Sequence, residues 1–240
     1  MGTMLRRDWL MEREEAMTTS VEPTCCSCCV IQDEPVPAAV EQKAGAQRMS
    51  RVSRLVLAAA SLALGLLFVL PLWHIGLKAP QYPEGLGLYI AINRIEGAAP
   101  QDLNSINGLN HYIGMKVISP DDIPELRYMP VLVMGLIAAG LGVAALGRRG
   151  LLYGWISLLA IGMVLGLADF YRWGYQYGHD LDPQAIIKIP GMTYQPPLLG
   201  GKELLNFYAT SWPASGGWIL IAVFVAVAAI AVREHRVASK

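Results

Sequence analysis

Charged side chains are scarce in this chain. They make up 16% of its 240 residues, while 54% of the residues are hydrophobic and the mean hydropathy is +0.39. In soluble domains about a quarter of all residues are usually charged, so this composition excludes an ordinary soluble domain and indicates an integral membrane protein. The formal net charge is zero, so the chain also lacks the basic surface that nucleic-acid binding requires.

The short motifs of several enzyme classes are absent as well. The sequence contains no glycine-rich phosphate loop, no GxSxG nucleophile elbow and no HExxH zinc motif. A hydrolase or kinase activity therefore has no residues to carry it, and we expect that the chain is not an enzyme.

Four apolar runs are long enough to cross a hydrocarbon core, which takes about 20 residues in a helix. The runs lie at residues 55–73, 129–147, 150–169 and about 217–232. Each is expected to be a helix, because a helix satisfies its own backbone hydrogen bonds in lipid. The predicted fold is therefore an all-α membrane domain at residues 53–240, with four transmembrane helices and two long loops at residues 74–128 and 171–216.

These four runs hold almost no ionisable side chains. Asp169, at the end of the third run, is the only one. Proton- and ion-coupled transporters generally need acids, histidines or broken helices near mid-membrane. The helices are therefore expected to form a scaffold or anchor, with any chemistry in the loops.

Lysines and arginines are distributed unevenly about the runs. Nine flank one set of ends, at residues 43–54, 148–149 and 233–240, and four flank the opposite ends. Positive flanks mark the cytoplasmic side. Both termini are therefore predicted in the cytoplasm, and both long loops on the outer side of a bacterial inner membrane.

Residues 1–52 form a polar tail of mixed charge, which is expected to be largely disordered. The first apolar run follows this tail without a small-residue cleavage site, so we interpret it as a retained helix and not as a signal peptide. All four cysteines lie in the tail, as Cys25-Cys26-Ser27-Cys28-Cys29. A reducing cytoplasm disfavours disulfides there. A soft-metal site and an incidental or lipid-modified tail both stay open.

Three of the four histidines fall in or beside the predicted outer loops. Imidazole and thioether groups suit copper, and two methionines lie in the same loops. His111 and Met115 would share one face if their segment were helical. The candidate copper ligands are His111, Met115, His179 and Met192, with His74 and Asp180 as outer candidates.

The first loop also has a purely structural interpretation. Its asparagines and aspartates, together with Gly108 and Gly114, are residues that tight turns use. A loop histidine is also more often a hydrogen-bonding residue than a metal ligand. The loop can therefore equally be a compact polar cap that offers a surface to a partner protein.

Three longer stretches resemble a known family. PLWHIGLKAPQYPEGLGLYI, INGLNHYIGMK and YGHDLDPQAIIKIPGMTYQPPLLGGKELLNF are similar to small polytopic bacterial membrane proteins. These proteins are found with nitrous oxide reductase maturation genes, next to a copper chaperone and an ABC-type transporter. The resemblance covers about residues 70–220 and leaves out the cysteine cluster. It implies a periplasm-facing accessory protein for a copper enzyme and carries over no catalytic residues.

The sequence thus predicts an accessory protein that supports assembly of, or copper supply to, a periplasmic metalloenzyme, with nitrous oxide reductase as the implied enzyme. One alternative is a membrane anchor or scaffold that binds a periplasmic partner without metal. Another is a membrane subunit that passes electrons from quinol to a periplasmic acceptor. The last alternative needs a haem, usually held by histidines within the bundle, and no apolar run contains a histidine.

Overall fold

The computed structural model describes residues 48–187, 191, 193–204 and 206–239. Most of the predicted tail, its cysteines and Met192 lie outside the described residues. The helices are α1 Arg51–Ala63, continued by a 3₁₀ helix at Leu64–Phe68, α2 Asp102–Ile113, α3 Glu125–Leu146, α4 Arg149–His179 and α5 Ser215–Ala238. The strands are β1 Trp73–Ala79, β2 Tyr82–Ile90, β3 Ile95–Gly97, β4 Gly200–Leu204 and β5 Phe207–Pro213.

Four helical segments are long and apolar enough to cross a membrane: α1 with its 3₁₀ extension, α3, α4 and α5. The four predicted apolar runs are therefore confirmed as helices of membrane-spanning length, although two of these helices do not end where the runs end. The first helical segment ends at Phe68, whereas the last residue of the apolar run, Trp73, already belongs to β1. The helix α4 has 31 residues, or about 46 Å, which exceeds the roughly 30 Å of a hydrocarbon core.

The polar extension of α4 stays helical because its side chains pair along the helix. Arg172 bonds Asp169 at 3.0 Å, one turn earlier. The rings of Tyr171 and Tyr175 lie 6.5 Å apart, and the ring of His179 stacks on Tyr175 at 3.8 Å. Contacts three and four residues apart stabilise helices in this way.

The helices pack around an apolar core in which Leu57, Leu152 and Val227 are fully buried. Close approach of α1 and α3 depends on Gly140, where a Cβ atom would collide with the Ser61 side chain. Large apolar side chains on the outer helix faces are exposed, among them Leu132, Leu158, Leu165 and Val225. An exposed apolar surface of this kind is expected to face lipid.

The start of α1, the turn between α3 and α4 and the end of α5 meet at one end of the bundle. The Met49 N–H donates to the Gly147 carbonyl at 2.8 Å, and Arg54 Nε donates to the Ala144 carbonyl at 2.7 Å. The Ser50 N–H donates to the carboxylate of Glu234 on α5 at 3.0 Å. We call this the tail end of the bundle.

Both long loops contribute strands to one sheet, so the prediction of an all-α fold was wrong. The five strands are antiparallel in the order β3-β2-β1-β5-β4. The first three come from the first loop and the last two from the second loop. The central pairing joins β1 to β5, with Trp73 opposite Pro213 and Lys78 opposite Tyr208.

One face of the sheet is apolar and packs on α2. Ile75 and Leu77 of β1 lie opposite Leu88 and Leu86 of β2, and this face contacts Ile106 of α2. Neighbours directly opposite each other on adjacent strands point to the same side. The sheet and α2 therefore enclose a second core. We call the described residues within 73–124 and 180–213 the cap.

Candidate functional site

The two loops are also bonded to each other away from the sheet. The Asp182 N–H donates to the Gly114 carbonyl at 2.8 Å, and the Ile187 N–H donates to the Tyr112 carbonyl at 2.9 Å. A Cβ atom on Gly114, whose φ is +79°, would collide with Ala185, so only glycine fits. We call this contact between residues 111–117 and 179–187 the loop junction.

His111 and Met115 belong to the loop junction but do not share a helix face. The helix α2 ends at Ile113, with Gly114 as a left-handed C-cap, so Met115 lies beyond it. The argument from a spacing of four residues in a helix therefore fails. His111 is exposed in the last turn of α2 and its ring lies beside Tyr112, with centroids 6.2 Å apart.

His179 and Asp180 stand on the other side of the junction, at the end of α4. The Nδ1 atom of His179 lies 3.0 Å from the Tyr175 carbonyl. Asp180 bonds Lys116 Nζ at 2.5 Å. The hydrogen bond and the negative charge of Asp180 raise the pKa of the Lys116 ammonium above its ordinary value. Asp180 is thus engaged with a lysine.

His74 lies elsewhere, on the face of the sheet opposite α2. It is directly opposite Tyr89 on β2 and Trp212 on β5, and its ring centroid lies 4.7 Å from that of Tyr89. The junction therefore brings the segments of His111, Met115, His179 and Asp180 together, whereas His74 is on another surface. Within the described residues, no three histidine, cysteine, aspartate or glutamate side chains are grouped so that they could share a metal ion.

The sheet face that carries His74 is rich in exposed aromatic side chains. Tyr89 is 37% exposed, Tyr208 44% and Trp212 52%. Tyr208 lies opposite Lys78. It is four residues before Trp212 on β5 and therefore points to the same face of the sheet. We call this surface the open face, defined by His74, Lys78, Tyr89, Tyr208 and Trp212. No described residue of α2 packs on this side of the sheet.

Glycines make room for two rings of the open face. A Cβ atom on Gly87 would come within 3.1 Å of His74 Nε2, and one on Gly201 would collide with the Tyr208 hydroxyl. The imidazole and phenol rings therefore lie over glycine backbone. The rings can therefore lie close to the sheet while they stay partly exposed.

Sequence reasoning missed a buried carboxylate at the tail end. Glu234 is 2% exposed, and its Oε1 accepts hydrogen bonds from the Ser50 N–H at 3.0 Å and from Ser53 Oγ at 2.6 Å. Its Oε2 accepts from Arg149 Nε at 2.8 Å. The fourth apolar run ends at about residue 232, and nothing in the sequence beyond it indicates that Glu234 is buried. We call these four residues the carboxylate clamp.

Comparison with protein-family models and with curated proteins found no match to this sequence. The resemblance of the loop sequences to membrane proteins of nitrous oxide reductase maturation therefore stays a prediction. The four apolar helices indicate a multi-pass membrane protein.

Proposed function

We propose that this chain is a membrane-anchored accessory protein whose cap docks a periplasmic partner during assembly of a copper enzyme, with nitrous oxide reductase as the implied enzyme. The observation that carries the docking role is the open face. It is an aromatic sheet surface on the side away from α2, and the sheet is carried on four membrane helices. The proposal includes a cytoplasmic tail end and a cap outside the bacterial inner membrane.

The residue types of the open face support a docking role. Tyrosine and tryptophan are enriched at the centres of protein interfaces, where they bury large rigid surfaces with little loss of conformational entropy. Tyr89, Tyr208 and Trp212 provide such surfaces within three adjacent strands. Lys78 and the imidazole of His74 add polar groups for orientation.

The docking role is tested by measuring the affinity of purified nitrous oxide reductase for the chain in mild detergent. A Tyr208→Ala/Trp212→Ala variant should bind at least about 30-fold more weakly, as expected when two interface aromatics that each contribute about 1 kcal/mol or more are truncated. The matched control is Tyr112→Ala, because Tyr112 is 51% exposed but lies on α2, on the other side of the sheet. Equal losses in both variants would contradict a role for the open face.

The proposed orientation has an independent test. Reporter fusions at residues 111 and 179 should be active outside the cytoplasmic membrane, and fusions at residue 239 should be active inside. The distribution of lysine and arginine supports this orientation. A cytosolic signal from residue 111 or 179 would overturn the periplasmic role whatever the chain binds.

Copper binding at the loop junction is a second candidate function. It is favoured by the contact that brings the segments of His111 and His179 together, since imidazole accepts copper in either oxidation state. The purified chain should then bind about one copper ion, and His111→Ala with His179→Ala should weaken the binding. The control is His235→Ala, at the tail end. Copper binding by the double variant equal to that of the parent would eliminate this site.

A further inference from the structure

The side of α5 that faces away from the helix bundle carries an open groove, and two arginines lie at one end of it. The groove has a volume of about 600 Å³. Its apolar part is lined by Val225, Ala228, Ala229 and Val232, residues that repeat every three or four positions and so lie on one side of the helix. The two alanines are small, and the depression forms between the larger valine side chains.

The groove faces away from the helix bundle. Val225 is 59% exposed and Val232 51%, whereas Val223 and Val227, on the opposite side of α5, are buried in the core. An apolar groove on the outer surface of a membrane helix is open to acyl chains along its length.

Two guanidinium groups close the groove at the tail end. Arg233 and Arg236 line it and are exposed, and within the described part of the chain neither side chain forms an ion pair or hydrogen bond. Glu234 lies between them in sequence but is buried on the other side of α5, where Arg149 bonds it. The positive charges are therefore available to an external anion, and arginine binds phosphate with two parallel hydrogen bonds.

We propose that this groove is a binding site for an anionic phospholipid. One acyl chain lies along residues 225–232, and the phosphate group is bound by Arg233 and Arg236. The distance along the helix from residue 225 to residue 236 is about 17 Å, close to the roughly 15 Å of one leaflet of the hydrocarbon core. A zwitterionic lipid offers the same acyl chain but adds a cation near the guanidinium groups, so phosphatidylglycerol should bind in preference to phosphatidylcholine.

The test is native mass spectrometry of the full chain, delipidated and then given equal amounts of phosphatidylglycerol and phosphatidylcholine with identical acyl chains. The parent should retain phosphatidylglycerol preferentially. Arg233→Gln/Arg236→Gln should reduce the ratio of bound phosphatidylglycerol to bound phosphatidylcholine about 10-fold or more, because each basic residue contributes to anionic lipid binding. Ala228→Leu/Ala229→Leu should reduce retention of both lipids, because the leucines fill the groove while the arginines remain.

The matched control is Arg48→Gln/Arg51→Gln, which removes two exposed arginines from the same end of the bundle. If this control lowered the lipid ratio as much as the α5 arginine variant, the preference would come from the general positive charge and the proposal would be overturned. It would also be overturned if the leucine variant bound both lipids like the parent. The proposal would be overturned as well if the parent were a dimer and the leucine variant a monomer that still bound both lipids, because the groove would then be an interface between copies of the chain.

Discussion

The carboxylate clamp should be the polar group on which the stability of the helix bundle most depends. Glu234 is buried and joins the start of α1, through Ser50 and Ser53, to the start of α4, through Arg149. The Arg149 side chain is itself only 13% exposed. Replacing Glu234 by alanine removes the carboxylate that accepts three hydrogen bonds, while the Arg149 guanidinium stays in a mostly buried position.

The expected cost follows from the burial of both partners. Breaking a buried ion pair by removal of one partner costs about 3–5 kcal/mol, because the remaining charge stays out of water. With a shift of roughly 2–4 °C per kcal/mol for a chain of this size, Glu234→Ala should lower the Tm by about 6–20 °C. Glu234→Gln should fall between Glu234→Ala and the parent, since the amide keeps one acceptor oxygen.

Thermal unfolding in detergent, followed by the helical circular dichroism signal, measures the difference. The control is Glu84→Ala, which removes an exposed glutamate from β2 and should change stability by no more than about 0.5 kcal/mol. Ser53→Ala combined with Glu234→Ala should be hardly worse than Glu234→Ala alone, because both changes remove the same hydrogen bond. If the Tm of the Glu234→Ala variant equalled that of the Glu84→Ala variant, the carboxylate clamp would not stabilise the contact between the three helices.

Three further predictions concern packing, the cap and the loop junction. Gly140→Leu should lower the Tm measured in detergent by several degrees, because Gly140 abuts α1, whereas Gly142→Leu, which points into open space on the same helix, should not. Asp102→Ala should destabilise the cap by about 1–3 kcal/mol and speed its proteolysis, because the buried Asp102 carboxylate accepts the N–H groups of two cap segments at 2.9 and 3.0 Å and alanine leaves both donors without an acceptor. The raised pKa of Lys116 means that its pairing with Asp180 is complete below the ordinary lysine pKa of about 10.4 and is lost only as the pH rises past the raised value. Amide exchange at the junction, corrected for the intrinsic pH dependence, should therefore be constant between about pH 7 and pH 9, and loss of protection within that range would contradict this ion pair.

The four spans could be predicted because the bilayer imposes a simple requirement on sequence. A helix of about 20 apolar residues satisfies its own backbone hydrogen bonds in lipid, so apolar runs of that length can be recognised directly in the sequence. Their ends were harder to predict, because apolar residues also build the adjoining structure. Trp73 belongs to a strand and pairs with Ile90 and Pro213, although it continues the first apolar run without a break.

The sheet left a signal in the sequence that a search for helices passes over. Apolar residues alternate with histidine, glycine and lysine around Ile75 and Leu77, and with glycine and tyrosine at Leu86, Leu88 and Ile90. This period of two is typical of a strand with one buried face. The pairing of β1 with β5 could not be predicted in the same way, because the partners lie at least 130 positions apart and no local pattern specifies such a register.

The clamp and the loop junction were beyond sequence reasoning for a related reason. Ser53 and Glu234 are 181 positions apart, and Lys116 and Asp180 are 64 apart. Side chains become partners at such separations only after the helices and strands have packed. The segments that hold the candidate ligands His111 and His179 likewise meet only because Gly114 accommodates the segment that follows α4.

The way in which the cap joins the bundle bears on what the cap is built to do. Only residue 214 separates β5 from α5, and four residues separate the 3₁₀ extension of α1 from β1. The two connections are bonded to each other, since the Ala214 N–H donates to the Leu72 carbonyl at 3.0 Å and the Gly216 N–H donates to the Pro71 carbonyl at 2.8 Å. The two central strands are thus direct continuations of two spans, and Trp73 further contacts Phe170 of α4, with ring centroids 5.3 Å apart. A partner that only had to be kept near the membrane could be held by a flexible tether. Two bonded connections and a contact with a third helix instead fix the angle and height of the open face, so the cap would orient the partner that we propose as well as retain it.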